Sequence, residues 1–401
     1  MPSRLLVPLL AALVVAAPAV ATADETPPVP SLDAFYTPPS PLPAGAPGDV
    51  IRSRQVDWHP EPFRVFPAPV RTYQVLYRST SATDSADAVS GTVLVPPTPW
   101  TGQGPRPVVA YAMGTQGLAD ECAPSYHLRN GDEVEIAFLV QSMLKGWAVA
   151  ITDYEGLGTP GRHTYAVGRS AGRALLDVAR AATRLPQAGL DPRAPIGAFG
   201  YSQGGQAAGF AGELQPAYAP ELNLVGVAEG GVPADLNEVA EFNDGNLGSS
   251  LVLGAASGYS AAYPELPLAE FLNARGREVL AKVENSCVVE LALAAPFTRL
   301  NDLTTRPDLI KDASWQARLG QNTLGTVRPG APVYLYHGTL DELIPYSTAR
   351  NLKSRYCGLG VDLQWTALPL AGHIGAISLW GGNALNWLGD RFAGKRTTPN
   401  C

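Results

Sequence analysis

The sequence predicts an α/β protein, a mostly parallel sheet covered by helices on both faces and interrupted by one helical insertion. Three observations predict it. Short, continuously apolar runs alternate with helical segments along most of the chain, as expected for strands buried on both sides. One of two Gly-x-Ser-x-Gly pentapeptides, Gly200-Tyr201-Ser202-Gln203-Gly204, stands between such a run and a helix of small residues. The alternation then stops after Gly230-Gly231-Val232-Pro233 and resumes only at Val333, a gap far longer than an ordinary connection.

The chain begins with Arg4, an apolar run from Leu5 to Ala17, and Ala21-Thr22-Ala23. This is the layout of an export signal, residues 1–23, with cleavage expected after Ala23 and the mature protein outside the cell. A membrane-spanning helix does not fit a run this short that holds Pro8 and Pro18, and no later apolar stretch is long enough. Residues 24–69 are rich in proline and read as an extended segment wrapped on the body, with Val50-Ile51-Arg52 and Phe63-Arg64-Val65-Phe66 needing burial. The alternating runs at 72–77 and 91–95 predict antiparallel neighbours at one sheet edge.

Apolar runs at 108–112, 147–151, 194–199 and 224–228 predict the next strands. Between them, helices are expected over 133–145, stopped by Gly146, and from Ser170 onward. The insertion then reads as several helices, including 268–272 and 288–292. Strands at 333–336 and 363–367 and a helix over 383–392 complete the body. The boundaries are therefore 24–234 for the first part of the body, 235–323 for the insertion and 324–401 for the second part. An insertion at the carboxyl ends of strands faces the ligand crevice, so a cap or lid is expected rather than a remote structural addition.

Composition narrows the function. The 401 residues are 46% hydrophobic and 16% charged, suiting a globular protein with a large core. The net charge is -7 with the signs interspersed, so the basic stripe that nucleic-acid binding requires is missing. A neutral or apolar substrate is more compatible. Four cysteines, Cys122, Cys287, Cys357 and Cys401, predict two disulfides in an exported chain, with three pairings open. A zinc site is the poorer reading, because no two of them have close ligand spacing.

The doubled pentapeptide separates into two objects. Ser202 follows a strand and precedes a helix, the setting of a strained turn that lifts a nucleophilic hydroxyl above a sheet. Ser170, in Gly168-Arg169-Ser170-Ala171-Gly172, follows a loop and takes the place of a helix N-cap. A serine needs a base, and histidine has the suitable pKa. In this architecture the chain order is serine, acid, histidine, so His59, His127 and His163 drop out. His337 leaves only Asp235 as a strand-end acid before it. His373, in the glycine-bracketed Gly372-His373-Ile374-Gly375 after the last strand, is the expected base. Asp341 is the expected acid, with Asp235 as the alternative and Glu342 expected to point elsewhere. The oxyanion would be held by the amide of Gln203 and by one from Met113-Gly114-Thr115-Gln116-Gly117, where Thr115 and Gln116 are the candidates.

With these pieces placed, the chain resembles the secretory lipase family of α/β-hydrolases. The resemblance rests on Cys122-Ala123-Pro124-Ser125-Tyr126, Asp153-Tyr154-Glu155-Gly156-Leu157-Gly158, Gly200-Tyr201-Ser202-Gln203-Gly204-Gly205, Gly230-Gly231-Val232-Pro233-Ala234-Asp235-Leu236, His337-Gly338 with Asp341, and Gly372-His373. It implies an α/β-hydrolase fold with a helical cap and hydrolysis of carboxylic esters, acylglycerols among them. It implies Ser202, Asp341 and His373 as the triad, no cofactor and no metal, and small-molecule or lipid ester substrates met at a lipid–water interface. It also implies Cys122 paired with Cys287 and Cys357 with Cys401. The rival readings are an esterase of short or non-lipid acyl groups, a peptidase on the same machinery, or a binding protein that has kept the fold without catalysis.

Overall fold

Nine strands make one sheet in the computed structural model, which describes residues 26–401. They are β1 (Val50–Val56), β2 (Arg71–Thr80), β3 (Ala86–Val95), β4 (Val108–Ala112), β5 (Ala148–Thr152), β6 (Ile196–Tyr201), β7 (Leu224–Gly230), β8 (Val333–Gly338) and β9 (Leu363–Leu368). Their spatial order is β1-β2-β3-β5-β4-β6-β7-β8-β9. Pairing is antiparallel from β1 through β3 to β5 and parallel from β5 to β9. The chain leaves β4 for β5 on one side and returns to β6 on the other. The carboxyl ends of β4 and β6 are thus neighbours, with Ala112 opposite Gly200, at the switch point where such sheets bind ligands.

The helices are α1 (Pro124–Asn130), α2 (Ile136–Leu144), α3 (Gly168–Arg184), α4 (Gln203–Tyr218), α5 (Leu236–Asn243), α6 (Ser249–Ala262), α7 (Ala274–Glu284), α8 (Val288–Ala292), α9 (Ala313–Gln321), α10 (Tyr346–Gly358) and α11 (His373–Phe392). Residues of α3, α4 and α10 pack one face of the sheet, and α1, α2 and α11 pack the other. Helices α5 to α9 lie between β7 and β8 and bury a second core around Tyr263, Leu266, Leu272, Val283 and Leu291, which Leu118, Tyr165 and Val167 of the body join. The α/β-hydrolase fold is therefore present with a helical insertion. No helix among the described residues is long and apolar enough to cross a membrane. The expected export signal, residues 1–23, lies outside the described residues.

Several expectations need correction. Within the segment expected to be extended and wrapped on the body, Val50 to Val56 is a hydrogen-bonded edge strand, which was not expected. Its Arg-Ser-Arg-Gln centre hides the signal because an edge strand needs only one half-buried face. Phe63 and Phe66 are 78% and 70% exposed instead of buried, and the turn is held by the Glu61 carboxylate accepting from the Val65 N–H at 2.6 Å. Helix α2 starts at Ile136, not at 133, because Glu133 and Glu135 use their carboxylates on nearby backbone and side-chain donors. Residues 268–271 form a 3-10 turn. Ser170 is not an N-cap: α3 starts at Gly168 with Val167 as its cap, and the buried Ser170 hydroxyl donates to Glu155. The glycines of that pentapeptide serve packing. A Cβ on Gly168 would lie 2.1 Å from the Phe210 ring, and one on Gly172 would lie 2.7 Å from Phe210 Cβ, so both let α3 close on α4.

Candidate active site

Ser202 joins β6 to α4 with φ 59° and ψ -122°, a conformation that L-residues rarely adopt. The flanking glycines make this turn possible. A Cβ on Gly200 would sit 2.0 Å from the Gly204 carbonyl oxygen, and one on Gly204 would sit 2.0 Å from the Ala112 carbonyl oxygen. Helix α4 can therefore start directly above the ends of β4 and β6. The turn is held by the Ser202 N–H donating to Gly230 O at 2.9 Å and the Gln206 N–H donating to Ser202 O at 3.0 Å. Gln203 is the first helical residue, where a backbone N–H has no helical acceptor.

Asp341 and His373 meet after β8 and β9. His373 Nδ1 lies 2.7 Å from Asp341 Oδ2, and both side chains are buried. The other carboxylate oxygen accepts from the N–H groups of Leu343 at 3.0 Å and Ile344 at 2.8 Å. Burial pushes the Asp341 pKa up, but the hydrogen bond and charge of His373, then His337 and the Ile344 amide, hold it below the ordinary carboxylate value. His337 is also close, its Nε2 3.4 Å from Asp341 Oδ2 and donating to Ile344 O at 3.0 Å. Burial lowers its pKa, which keeps that ring neutral beside the acid. Asp235 is elsewhere: it caps α5 through the Asn237 N–H and pairs with Arg355.

His373 is the first residue of α11, ten residues before the expected start of that helix. Its N–H donates to Glu342 Oε2 at 2.9 Å, so Glu342 does not point elsewhere but anchors the backbone of the histidine beside it. Gly372 leaves room for this contact, since a Cβ there would lie 2.6 Å from the same oxygen and push the Glu342 carboxylate aside. The Tyr201 hydroxyl donates to His373 O at 2.7 Å and completes the cradle.

Gly114, Thr115 and Gln116 leave the end of β4 beside Ser202. The Gly114 N–H is taken by Glu135 Oε1 at 2.6 Å, and the Thr115 hydroxyl bonds Tyr165 at 3.0 Å. This loop is laced to the insertion. Val288 N–H donates to Gln116 O at 2.7 Å, Leu118 N–H donates to Ser286 O at 3.0 Å, and Cys122 is disulfide-bonded to Cys287. The second disulfide, Cys357–Cys401, ties the C-terminus to α10.

Ser202, His373, Gly114, Thr115 and Gln116 all line one cavity of about 500 Å³. Its remaining walls are mostly apolar and come largely from the insertion, among them Leu236, Leu251, Ala256, Trp315 and Leu319. Val134, Leu293 and Ile374 line it while being 74%, 67% and 67% exposed, so the cavity opens through an apolar rim. Among the described residues the Ser202 hydroxyl makes no hydrogen bond, and catalytic hydrogen bonds commonly tighten only when substrate binds.

The sequence model of the family described as Secretory lipase matches residues 131–400. The chain belongs to this family. It is 30% identical to a secreted triacylglycerol lipase of Malassezia globosa over 92% of this chain and 81% of that protein. It is also 30% identical to a probable inactive lipase of Mycobacterium tuberculosis over 93% of this chain and 84% of that protein. Among solved structures, Candida antarctica lipase A in its closed state superposes with a TM-score of 0.84 and 26% identity, covering 94% of this chain and 89% of that one.

In this secretory lipase family member, four site residues escaped the sequence reading. Glu342 and His337 were weighed for other places, and His163 was dropped by chain order alone. Tyr165 gave no signal at all. The contacts of Glu342, His163 and Tyr165 join segments far apart in sequence. The one sequence signal near His163 is the loop Gly158-Thr159-Pro160-Gly161-Arg162 just before it.

Proposed function

We propose that this protein is an exported serine ester hydrolase of lipase type that cleaves acylglycerols or related acyl esters. The observation that carries this reading is a strained Ser202 and a buried Asp341–His373 pair opening on one apolar cavity. Asp341 accepts a hydrogen bond from the Nδ1–H of His373, which leaves Nε2 free to take the proton from Ser202 as its oxygen attacks the ester carbonyl. The Gln203 amide and an amide of the Thr115-Gln116 segment hold the oxyanion. Collapse of the tetrahedral intermediate breaks the bond to the alcohol, which leaves with the proton from His373. Water then repeats the sequence on the acyl-enzyme and releases the acid. No cofactor enters any step. Residues 235–323 act as a cap whose apolar walls receive the acyl chain, and the volume falls in the ordinary range for ligand pockets.

Ser202→Ala is expected to abolish hydrolysis of p-nitrophenyl acyl esters while circular dichroism stays unchanged; undiminished turnover contradicts the reading. Rates on emulsified esters are expected to rise with acyl length, and a preference confined to soluble short esters favours the short-acyl reading. Two disulfides suit an oxidising compartment, so the exported protein is expected to begin at Asp24 by intact mass. A mass that retains residues 1–23 opposes it.

A further inference from the structure

His163 is buried and takes no part in the mechanism above, yet it contacts the side chain of Gln203, the residue that follows Ser202. Its Nδ1 lies 2.9 Å from the carbonyl oxygen of Glu155, and its Nε2 lies 3.2 Å from Gln203 Nε2. A carbonyl can only accept, so the proton is on Nδ1. Nε2 is then a lone pair, and the Gln203 amide must donate to it. The ring is flanked by Tyr154 and Tyr165, each with its centroid 6.0 Å away. Burial pushes the His163 pKa down to about 4, which keeps this acceptor in place at neutral pH.

The neighbours of His163 make the same kind of connection to two other parts of the site. Arg162 reaches the insertion, donating to Glu284 Oε1 at 2.6 Å and to Ser257 Oγ at 2.8 Å. Tyr165 reaches the loop after β4 through Thr115 Oγ1 at 3.0 Å. Its carbonyl also packs so close to α6 that a Cβ on Gly258 would lie 2.3 Å from it. One four-residue stretch therefore touches the insertion, the loop after β4 and the first residue of α4.

We propose that His163 is a positioning residue for ester hydrolysis: through Gln203 it fixes the peptide that follows the nucleophile, and with Tyr165 it sets both sides of the oxyanion site. Rotating the Ser202–Gln203 peptide would pull the buried Gln203 side chain off the one acceptor it has among the described residues. The inference rests on the ester-hydrolase reading, and Ser202→Ala separates the two. If Ser202→Ala remains active, that reading fails; if Ser202→Ala is silent while His163 variants are normal, only this inference fails.

His163→Phe keeps a ring between the two tyrosines and removes the acceptor; Gln203→Met removes the donor. Each is expected to lower kcat on a soluble p-nitrophenyl ester ~10–100-fold with KM within about twofold, the signature of a misplaced group rather than lost binding. Affinity for a trifluoromethyl ketone, which mimics the tetrahedral intermediate, is expected to fall by the same factor. The double variant is expected to lose no more than either single, because the two side chains act as one unit. His163→Gln, which can both donate to Glu155 and accept from Gln203, is expected to recover most of kcat. Unchanged kcat in either single variant, or losses that multiply in the double, overturns the proposal. If His163→Phe is too unstable to assay, the kcat of Gln203→Met decides alone.

Discussion

Ser202 holds a backbone conformation that costs about 1–3 kcal/mol in an L-residue and almost nothing in glycine. Ser202→Gly is therefore expected to be more stable than Ser202→Ala by about 1 kcal/mol in urea unfolding, with both inactive; equal midpoints would argue against strain at the elbow. Ser170 makes the opposite case. It lies outside the cavity, so Ser170→Ala is expected to keep full turnover. The half-buried Glu155 carboxylate loses a donor, however, so a cost of about 1–2 kcal/mol is expected, read as a lowered Tm. The sequence alone separated these two serines because their flanks differ, strand on one side and loop on the other. It did not reveal what Ser170 does, because its partner Glu155 comes from a loop whose approach depends on the positive φ of Gly156. Glu342 is similar: a carboxylate that anchors the first N–H of α11 leaves no trace in spacing.

The glycines of the elbow belong to the contact between elements. Gly204→Ala would drive a Cβ into the Ala112 carbonyl, and Gly172→Ala into Phe210. Both are expected to destabilise by about 1–3 kcal/mol, as overpacked cores do. Only Gly204→Ala, which shifts α4 against β4, is expected to cut kcat strongly; equal activity in the two variants would contradict this division. Replacing Cys122 and Cys287 by Ser frees the insertion from the loop after β4. A loss of about 2–4 kcal/mol is expected, together with reduced turnover. Reading elements from sequence worked best for β4, whose apolar run matches its observed bounds. It missed the start of α11 because the glycines on either side of His373 mimic a loop, whereas Gly372 lets the backbone close on Glu342. It missed β1 because an edge strand carries polar side chains without penalty.

Across the whole molecule, the sheet topology brings four chain segments to the carboxyl ends of β4, β6, β8 and β9, and the insertion roofs them. That convergence was legible from strand order and from the long gap after β7. The polar side chains that the fold buries were not. Burial, then the neighbouring Glu135, raises the pKa of Glu133 from 4.5 to about 7, and burial raises that of Glu213 to about 7. Burial likewise raises Asp153 to about 6. An acid whose pKa is raised on folding binds its proton more tightly in the native state, so stability falls as pH rises from the unfolded value through the folded one. The Tm is expected to drop between about pH 4.5 and 7, the interval over which Glu133 and Glu213 keep their protons only in the folded state. Glu133→Gln, which cannot ionise, is expected to flatten part of that drop and to gain on the parent most at pH 8. A Tm that rises over this interval would contradict the buried protonated acids. Asp341 acts in the other direction, its lowered pKa contributing stability that is lost only as pH falls below the carboxylate range.

A relative of similar identity bears the name of a probable inactive lipase, so the central claim must be tested on the residue itself. The most direct measurement is labelling of the folded protein with a fluorophosphonate ester, followed by intact mass and peptide mapping. A single adduct on Ser202, absent from Ser202→Ala and from His373→Ala yet retained in Ser170→Ala, is the predicted result. No adduct on the folded protein, or an adduct on any other residue, would contradict it.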